Sequence, residues 1–336
     1  MTTFRGKILV IRGGAIGDFI LTLPAIAALR RNFPEAYIEV LGYPHIIQLA
    51  VAGGLVDCAR SIEARALAGF FARNGPLAED LAYYFSEFDI IVSYLYDPDS
   101  IFRANIARCS PAQFIWGPHR PDEKSRMHAV KVFLKPLERL AIFDADSVPH
   151  LHVREGRGVG VGAGGTEAEQ HKAGCGLEVA GPKRRPVLAL HPGSGAERKN
   201  WPESKWAELL EQVVHGTDFD LYLVGGEAEG ERLQRLGAAL PPLRTRVAQS
   251  LPLAELAGLL AASTGFIGHD SGISHLAAAV GLPAIILWGE TAEEVWRPPS
   301  EKAVLVRDPG GLGRLSTRKV FETMQRLWAV RFNQIR

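Results

Sequence analysis

Only three cysteines occur in the 336 residues, Cys58, Cys109 and Cys175, far apart and with no CxxC pair. That spacing argues against a disulfide framework or a structural zinc site and suits a reducing compartment. Neither sign of charge dominates: 38 Lys and Arg stand against 37 Asp and Glu, a net charge of +1, so no global field favours nucleic acid or a membrane. Long apolar runs are missing as well. The longest, residues 276–288, carries Pro283 and falls short of the ~20 residues that span a bilayer. The first seven residues lead at once into a short apolar run, without the long apolar region and cleavage site of a signal peptide. A cytoplasmic location is therefore expected, with room for a peripheral contact at the inner membrane face. A Walker A spacing, GxxxxGK[ST], is also absent.

What is present is an alternation of short apolar strands and amphipathic helices in two rounds, the pattern of βαβ units and parallel sheets covered on both faces. In the first round, residues 7–11 (Lys-Ile-Leu-Val-Ile) predict a buried strand that ends in glycines and opens a helix over 19–32. Pro24 either kinks that helix or starts its regular part. Strands follow at 37–41, 59–62, 89–95 and 114–116, with helices near 45–52, 77–88 and 100–109 and an amphipathic helix over 128–142. In the second, strands are expected at 187–190, 221–224, 265–267, 284–287 and 303–306, and helices at 203–214, 228–240 and 253–262. A last helix over 317–334 carries Val320, Met324, Leu327 and Trp328 on one packing stripe. The expected division is an N-terminal domain 1–154, a glycine-rich linker or loop 155–185, a C-terminal domain 186–315 and a C-terminal helix 316–336.

Three strand-to-helix loops carry chemistry. The stretch from Gly268 to Gly281 runs from a strand into an alanine-rich helix through Asp270, Ser271 and Gly272, with Ser271 and Ser274 adding hydroxyl donors and Asp270 and His275 standing at the same mouth. A helix's first turn has unpaired N–H groups and a positive partial charge, so it holds anions, and Gly272 lets a phosphate come close; the plainer reading is a helix cap. A second loop, His191 to Pro202, again follows a buried strand. Its Gly193, Ser194 and Gly195 offer donors, and Arg198 and Lys199 bring cations suited to a diphosphate leaving group; a solvated basic loop is the alternative. The third, Arg12 to Asp18, contains Gly14 and Gly17 and ends in a carboxylate that either caps a helix or accepts a proton from a hydroxyl nucleophile. Glu227 and Glu231, after the strand at 221–224, are candidates for nucleoside hydroxyls. His269, Asp270 and His275 have no second ligand cluster, and Asp97-Pro98-Asp99 is more simply a turn, so no metal site is assigned. Residues 100–140 hold eight Lys and Arg against three acids, a net charge of +5 that includes Arg120 and Lys124 on the acceptor side. That charge suits an anionic acceptor or an anionic membrane leaflet, or forms a solvated face.

Together these stretches resemble glycosyltransferase family 9, the ADP-heptose:lipopolysaccharide heptosyltransferases. The likeness rests on Ile11 to Asp18 with Thr22-Leu23-Pro24-Ala25, on His191-Pro192-Gly193-Ser194 with Lys199-Asn200-Trp201-Pro202, and on Asp270-Ser271-Gly272 with Ser274-His275. It implies a GT-B architecture, two Rossmann-like parallel-sheet α/β domains facing a cleft, with a C-terminal helix that often crosses back on the first domain. It also implies Asp18 as general base, Lys199 on the donor phosphates, Asp270 to Gly272 as the diphosphate corner, and no metal or other cofactor beyond the nucleotide-sugar co-substrate. The expected reaction is inverting transfer of a sugar, heptose from an ADP-linked donor, to a hydroxyl of a lipopolysaccharide-core or related anionic glycan. A GT-B epimerase and a non-catalytic nucleotide-sugar-binding protein are the alternatives. The glycine-rich insert is unusual for the family, and the acceptor half matches only loosely.

Overall fold

The computed structural model describes residues 5–153 and 185–328, so the glycine-rich tract, apart from Arg185, lies outside the described residues. Residues 5–153 contain β1 (Lys7–Arg12), α1 (Ile16–Ile20), α2 (Leu23–Asn32), β2 (Tyr37–Gly42), α3 (Pro44–Ala52), β3 (Cys58–Ser61), α4 (Glu79–Ser86), β4 (Ile90–Ser93), α5 (Ile101–Ala107), β5 (Gln113–Trp116) and α6 (Ala129–Leu134). Their strands form one parallel sheet in the order β3-β2-β1-β4-β5, with Ile8 of β1 level with both Ile38 and Ile90. Ile8 to Ile11 are sealed from solvent, as a strand covered by helices on both faces requires.

The second half contains β6 (Val187–His191), α7 (Glu203–Gly216), β7 (Asp220–Gly225), α8 (Gly230–Ala238), β8 (Thr245–Gln249), α9 (Leu253–Ala261), β9 (Gly265–His269), α10 (Gly272–Ala279), β10 (Ala284–Leu287), α11 (Glu293–Trp296), β11 (Ala303–Val306) and α12 (Thr317–Leu327). Its parallel sheet runs β11-β10-β9-β6-β7-β8. In both sheets the strand order reverses beside the first strand, between β1 and β4 and between β6 and β9. Open α/β sheets bind ligands at that point, outside the carboxyl ends of the strands. The three motif loops follow β1, β6 and β9.

Four expectations are corrected. The helix expected over 19–32 is two helices broken at Leu21 and Thr22: Thr22 turns its hydroxyl onto the Asp18 carbonyl at 2.8 Å, and Pro24, in the first turn of α2, starts the regular part. The helix expected over 128–142 continues past α6 only as a 3₁₀ turn, Lys135–Leu140, because Pro136 has no N–H to donate. Strand β8 was not expected, since its half-exposed Thr-Arg-Val-Ala-Gln lies on the sheet edge and shows no apolar run. Finally, Val320, Met324 and Trp328 are buried with Trp206 and Leu210 of the second half, whereas Leu327 is exposed. The described part of α12 thus packs on its own half and not back on the first; residues 329–336 lie outside the described residues.

The halves meet through apolar side chains. Ile20, Ile26 and Ile47 of the first share one buried cluster with Leu256, Leu276 and Leu282 of the second, and the Leu151 N–H donates to the Ala279 carbonyl at 2.9 Å. Helices α1 and α10 pack directly together. A Cβ on Gly272 would lie 2.8 Å from Ile16 Cβ and 2.9 Å from the Gly17 backbone nitrogen, so the approach requires glycine. Gly272→Ala is accordingly expected to cost about 1–3 kcal/mol, read as a lower urea midpoint; an unchanged midpoint would show that the helices separate freely.

Candidate functional site

The corner from Asp270 to Gly272 is built on the end of β9. Ser271 has extended backbone and caps α10, its hydroxyl oxygen accepting from the Ser274 N–H at 3.4 Å. The remaining first-turn N–H groups face the mouth of the corner, where the helix's positive end attracts an anion. Asp270 is almost buried there, and its carboxylate accepts from Lys199 Nζ at 2.6 Å. The lysine arrives on a 3₁₀ turn, Glu197–Lys199, whose stiffness comes from the Lys199 N–H to Ala196 carbonyl bond at 2.9 Å. Gly195, at φ +69°, supplies the left-handed turn that sends the chain back towards β9. The Ser194 hydroxyl lies 2.7 Å from Asn200 Oδ1 and 2.9 Å from the Ala196 carbonyl, so its proton is engaged inside the loop.

Glu227 and Glu231 line a polar cleft of about 380 Å³ beside this loop, together with Asn200, Arg232 and Arg235. Glu227 opens a 3₁₀ turn after β7 with its side chain exposed; Glu231 is exposed too and pairs with Arg235 at 3.5 Å. Arg232, not singled out from sequence, reaches the Pro192 carbonyl at 3.2 Å and both carboxylate oxygens of Glu197 at 2.8 and 3.0 Å. That pairing, with Asn200, holds the Glu197 carboxyl below its usual pKa.

Across the cleft, Asp18 stands in the first turn of α1. Its Oδ2 accepts from the Ala15 N–H at 3.1 Å, so the cap expected of this residue exists, yet a quarter of the side chain remains open to solvent. Gly14 makes room for it: at φ +102°, a Cβ there would sit 3.0 Å from Asp18 Oδ2. Behind it lies Arg12, which the sequence reading placed at the start of the motif loop without giving it a role. Its buried guanidinium donates to the His119 carbonyl at 2.7 Å and the Asp18 carbonyl at 3.3 Å, lies 4.5 Å from the Phe133 ring and comes 3.8 Å from Asp18 Oδ1. Burial lowers its pKa, and the Asp18 charge opposes that shift. His119 meets the exposed Tyr96 edge-on, 4.6 Å between ring centres, forming an aromatic wall beside Asp18.

Gly17 and His275 face each other: a Cβ on the glycine would lie 3.4 Å from the imidazole Cδ2. Asp18 and the phosphate corner are therefore brought together, through Gly17, Gly272 and His275. Arg120 also reaches across, 5.3 Å over Trp296, whose indole N–H donates to Glu123 Oε1 at 3.0 Å. Lys124 lies exposed in the neighbouring 3₁₀ turn, and Arg108 is tied to the Gly75 carbonyl at 2.8 Å. Asp97 accepts from the N–H groups of Phe102 and Arg103 at 3.1 and 3.0 Å, the behaviour of a turn and helix cap. Among the described residues no group of three or more His, Cys, Asp and Glu is placed to hold a metal ion.

The chain is similar to known proteins. Residues 157–322 match the profile "Glycosyltransferase family 9 (heptosyltransferase)". The chain is 25% identical over 315 residues to lipopolysaccharide heptosyltransferase 3 of Escherichia coli, covering 86% of this chain and 85% of that one. The structure of E. coli ADP-heptose LPS heptosyltransferase II superposes with TM-score 0.72 at 20% identity, covering 96% of this chain and 98% of the other. That of E. coli heptosyltransferase WaaC with ADP gives 0.69 at 17%, covering 96% and 100%. The chain belongs to glycosyltransferase family 9. It is a glycosyltransferase of two parallel-sheet α/β domains in the GT-B arrangement.

The buried histidines of this transferase give it a pH signature. Burial pushes His191 down to about 4 and His269 to about 3, and lowers His275 as well, so all three are neutral in the folded protein near pH 7. An unfolded histidine titrates near 6.5, so the unfolded chain binds more protons as pH falls below that value and stability is lost. Between pH 6.5 and 5 each group costs roughly 1–2 kcal/mol. Thermal unfolding is expected to show Tm falling over that interval, less steeply in His191→Asn; a flat profile in the native protein would contradict the buried neutral imidazoles.

Proposed function

We propose that this transferase moves heptose from ADP-heptose to a hydroxyl of a lipopolysaccharide-core or related anionic glycan, with inversion at the anomeric carbon. The observation that carries this reading is the α1 to α10 contact, which sets one open carboxylate, Asp18, against a cationic, donor-rich corner at Lys199, Ser271 and Gly272. Asp18 takes the acceptor hydroxyl's proton as its oxygen attacks the anomeric carbon. The bond from that carbon to the diphosphate oxygen breaks, and the released charge falls between the Lys199 ammonium and the first-turn N–H groups of α10. A single attack by the acceptor inverts the centre. Retention would use a second carboxylate as nucleophile, and Asp270 is already held by Lys199.

The ADP-linked donor is supported by the relatives' names and by the polar cleft at Glu227, where a carboxylate suits ribose hydroxyls. In this proposal Lys199 and the helix end carry the diphosphate charge without a metal or other cofactor. An anionic acceptor is supported by the exposed Arg103, Lys124, Arg126, Lys131, Lys135 and Arg139, and Tyr96 and His119 offer it an aromatic wall next to Asp18. No helix among the described residues is long and apolar enough to cross a membrane, and the same basic surface suits peripheral contact with an anionic inner leaflet. Because the donor is a nucleotide sugar, the cytoplasmic side is the proposed place of work.

Two measurements test this. In a thermal-shift panel of ADP-, UDP-, GDP- and CMP-linked sugars, the ADP-linked heptose is expected to stabilise the protein selectively; a preference for another base would overturn the donor assignment. Asp18→Asn is expected to lower kcat by ~10²–10⁴ while the donor Kd changes less than about twofold; turnover like the native enzyme's would remove Asp18 as base.

A further inference from the structure

His269 immediately precedes the diphosphate corner, is fully buried, and sends no atom into the cleft. Its ring spans the gap between β9 and the lysine loop. Nδ1 lies 3.1 Å from the Gly193 carbonyl oxygen, at the start of the loop, and Nε2 lies 2.8 Å from the Trp201 backbone nitrogen, at its end. A carbonyl only accepts and a backbone amide only donates, so the tautomer is determined: Nδ1–H donates to Gly193, and Nε2 accepts from Trp201. The Trp206 indole N–H also points at Nε2, from 3.4 Å, and the Trp206 ring packs edge-on against the imidazole at 5.4 Å. The main chain of His269 is tied in the opposite direction, its carbonyl oxygen accepting a short hydrogen bond from the Ser274 hydroxyl in the first turn of α10.

We propose that His269 is a positioning residue for the donor site. Its two ring nitrogens clamp both ends of the 193–201 loop to β9, aiming Lys199 at the diphosphate before any donor arrives. This inference rests on the donor site proposed above. The logic is one of reach. Lys199 lies two residues before the clamped Trp201 amide, on a 3₁₀ turn held by the bonds from Lys199 N–H to Ala196 and from Asn200 N–H to Glu197, both 2.9 Å. With the loop ends fixed and the turn between them stiff, the lysine stem starts from one place, and its ammonium is held 2.6 Å from Asp270, the neighbour of His269. One imidazole thus places the loop, and through its own carbonyl the helix N-terminus, in a common frame, so the order they need is present before binding. Burial keeps the ring neutral, which retains the acceptor at Nε2 across physiological pH.

The test is a double-mutant cycle on ADP affinity by calorimetry, using the full chain: native, His269→Phe, Lys199→Ala and the double variant. Phenylalanine keeps the ring volume and the Trp206 contact while removing both hydrogen bonds. His269→Phe is expected to weaken ADP binding by ~10-fold, the worth of one or two hydrogen bonds, with the acceptor KM within about twofold of native. In the double variant, the loss should match that of Lys199→Ala alone, because a misplaced lysine and a missing one are equivalent. A native ADP affinity in His269→Phe, or penalties that multiply in the double variant, would overturn the proposal. Should His269→Phe not fold, His269→Asn retains a donor for Gly193 without the acceptor for Trp201 and is expected to show a smaller loss of the same kind; native affinity there counts against the clamp. If Lys199→Ala leaves ADP binding unchanged, the donor-site reading fails and takes this inference with it, whereas an effect of Lys199→Ala with His269→Phe silent removes the inference alone.

Discussion

Two helix starts, one from each domain, approach so closely that only glycine fits at their contact, and the rest of the site depends on that approach. Gly272 lets α10 lie against Ile16 and Gly17, and Gly17 leaves room for the His275 ring. Both helices begin just after a switch-point strand of their sheets, so the contact joins the two places where open α/β sheets carry ligands. A carboxylate in the first turn of one helix therefore faces the anion-binding end of the other. The apolar cluster shared by the domains holds this arrangement, and the polar atoms needed for chemistry are kept to its rim.

Electrostatics then divide the labour. Lys199 and Asp270 neutralise each other in a setting that leaves the lysine little exposed, so an incoming diphosphate meets an ammonium already in place. Asp18 is held from behind by the buried Arg12, whose other hydrogen bonds fasten it to the Asp18 and His119 carbonyls. The histidines nearest the corner are stripped of charge by burial, and His269 serves as a hydrogen-bonding group with one fixed role at every physiological pH.

How much of this was legible in sequence follows from where each signal resides. The motifs at Asp18, Lys199 and Asp270 were readable because a short β-branched strand, a glycine loop and an amphipathic helix are local patterns, and the fold of both halves follows from their alternation. Residues whose role depends on distant partners left no such trace. Arg12 read only as the first residue of a loop, yet it touches His119 from 107 residues away. His269 was left without a role, and its partners lie 68 and 76 residues off in sequence. Ser194 was expected to face the ligand, and only the position of Asn200 shows that its hydroxyl is engaged inside the loop. Strand β8 escaped notice because an edge strand is exposed enough to carry Thr, Arg and Gln, and the break before α2 shows how one proline and one threonine redirect a chain that reads as a single helix.

The central claim is that donor and base share one site across the α1 to α10 contact. The measurement that meets it most directly is a crystal structure of the protein with ADP-linked heptose or its non-transferable analogue. The account predicts a diphosphate lying between Lys199 and the first turn of α10, the nucleoside in the cleft beside Glu227, and the anomeric carbon facing the Asp18 carboxylate. A diphosphate bound away from Lys199 and the α10 N-terminus, or a sugar turned away from Asp18, would contradict it.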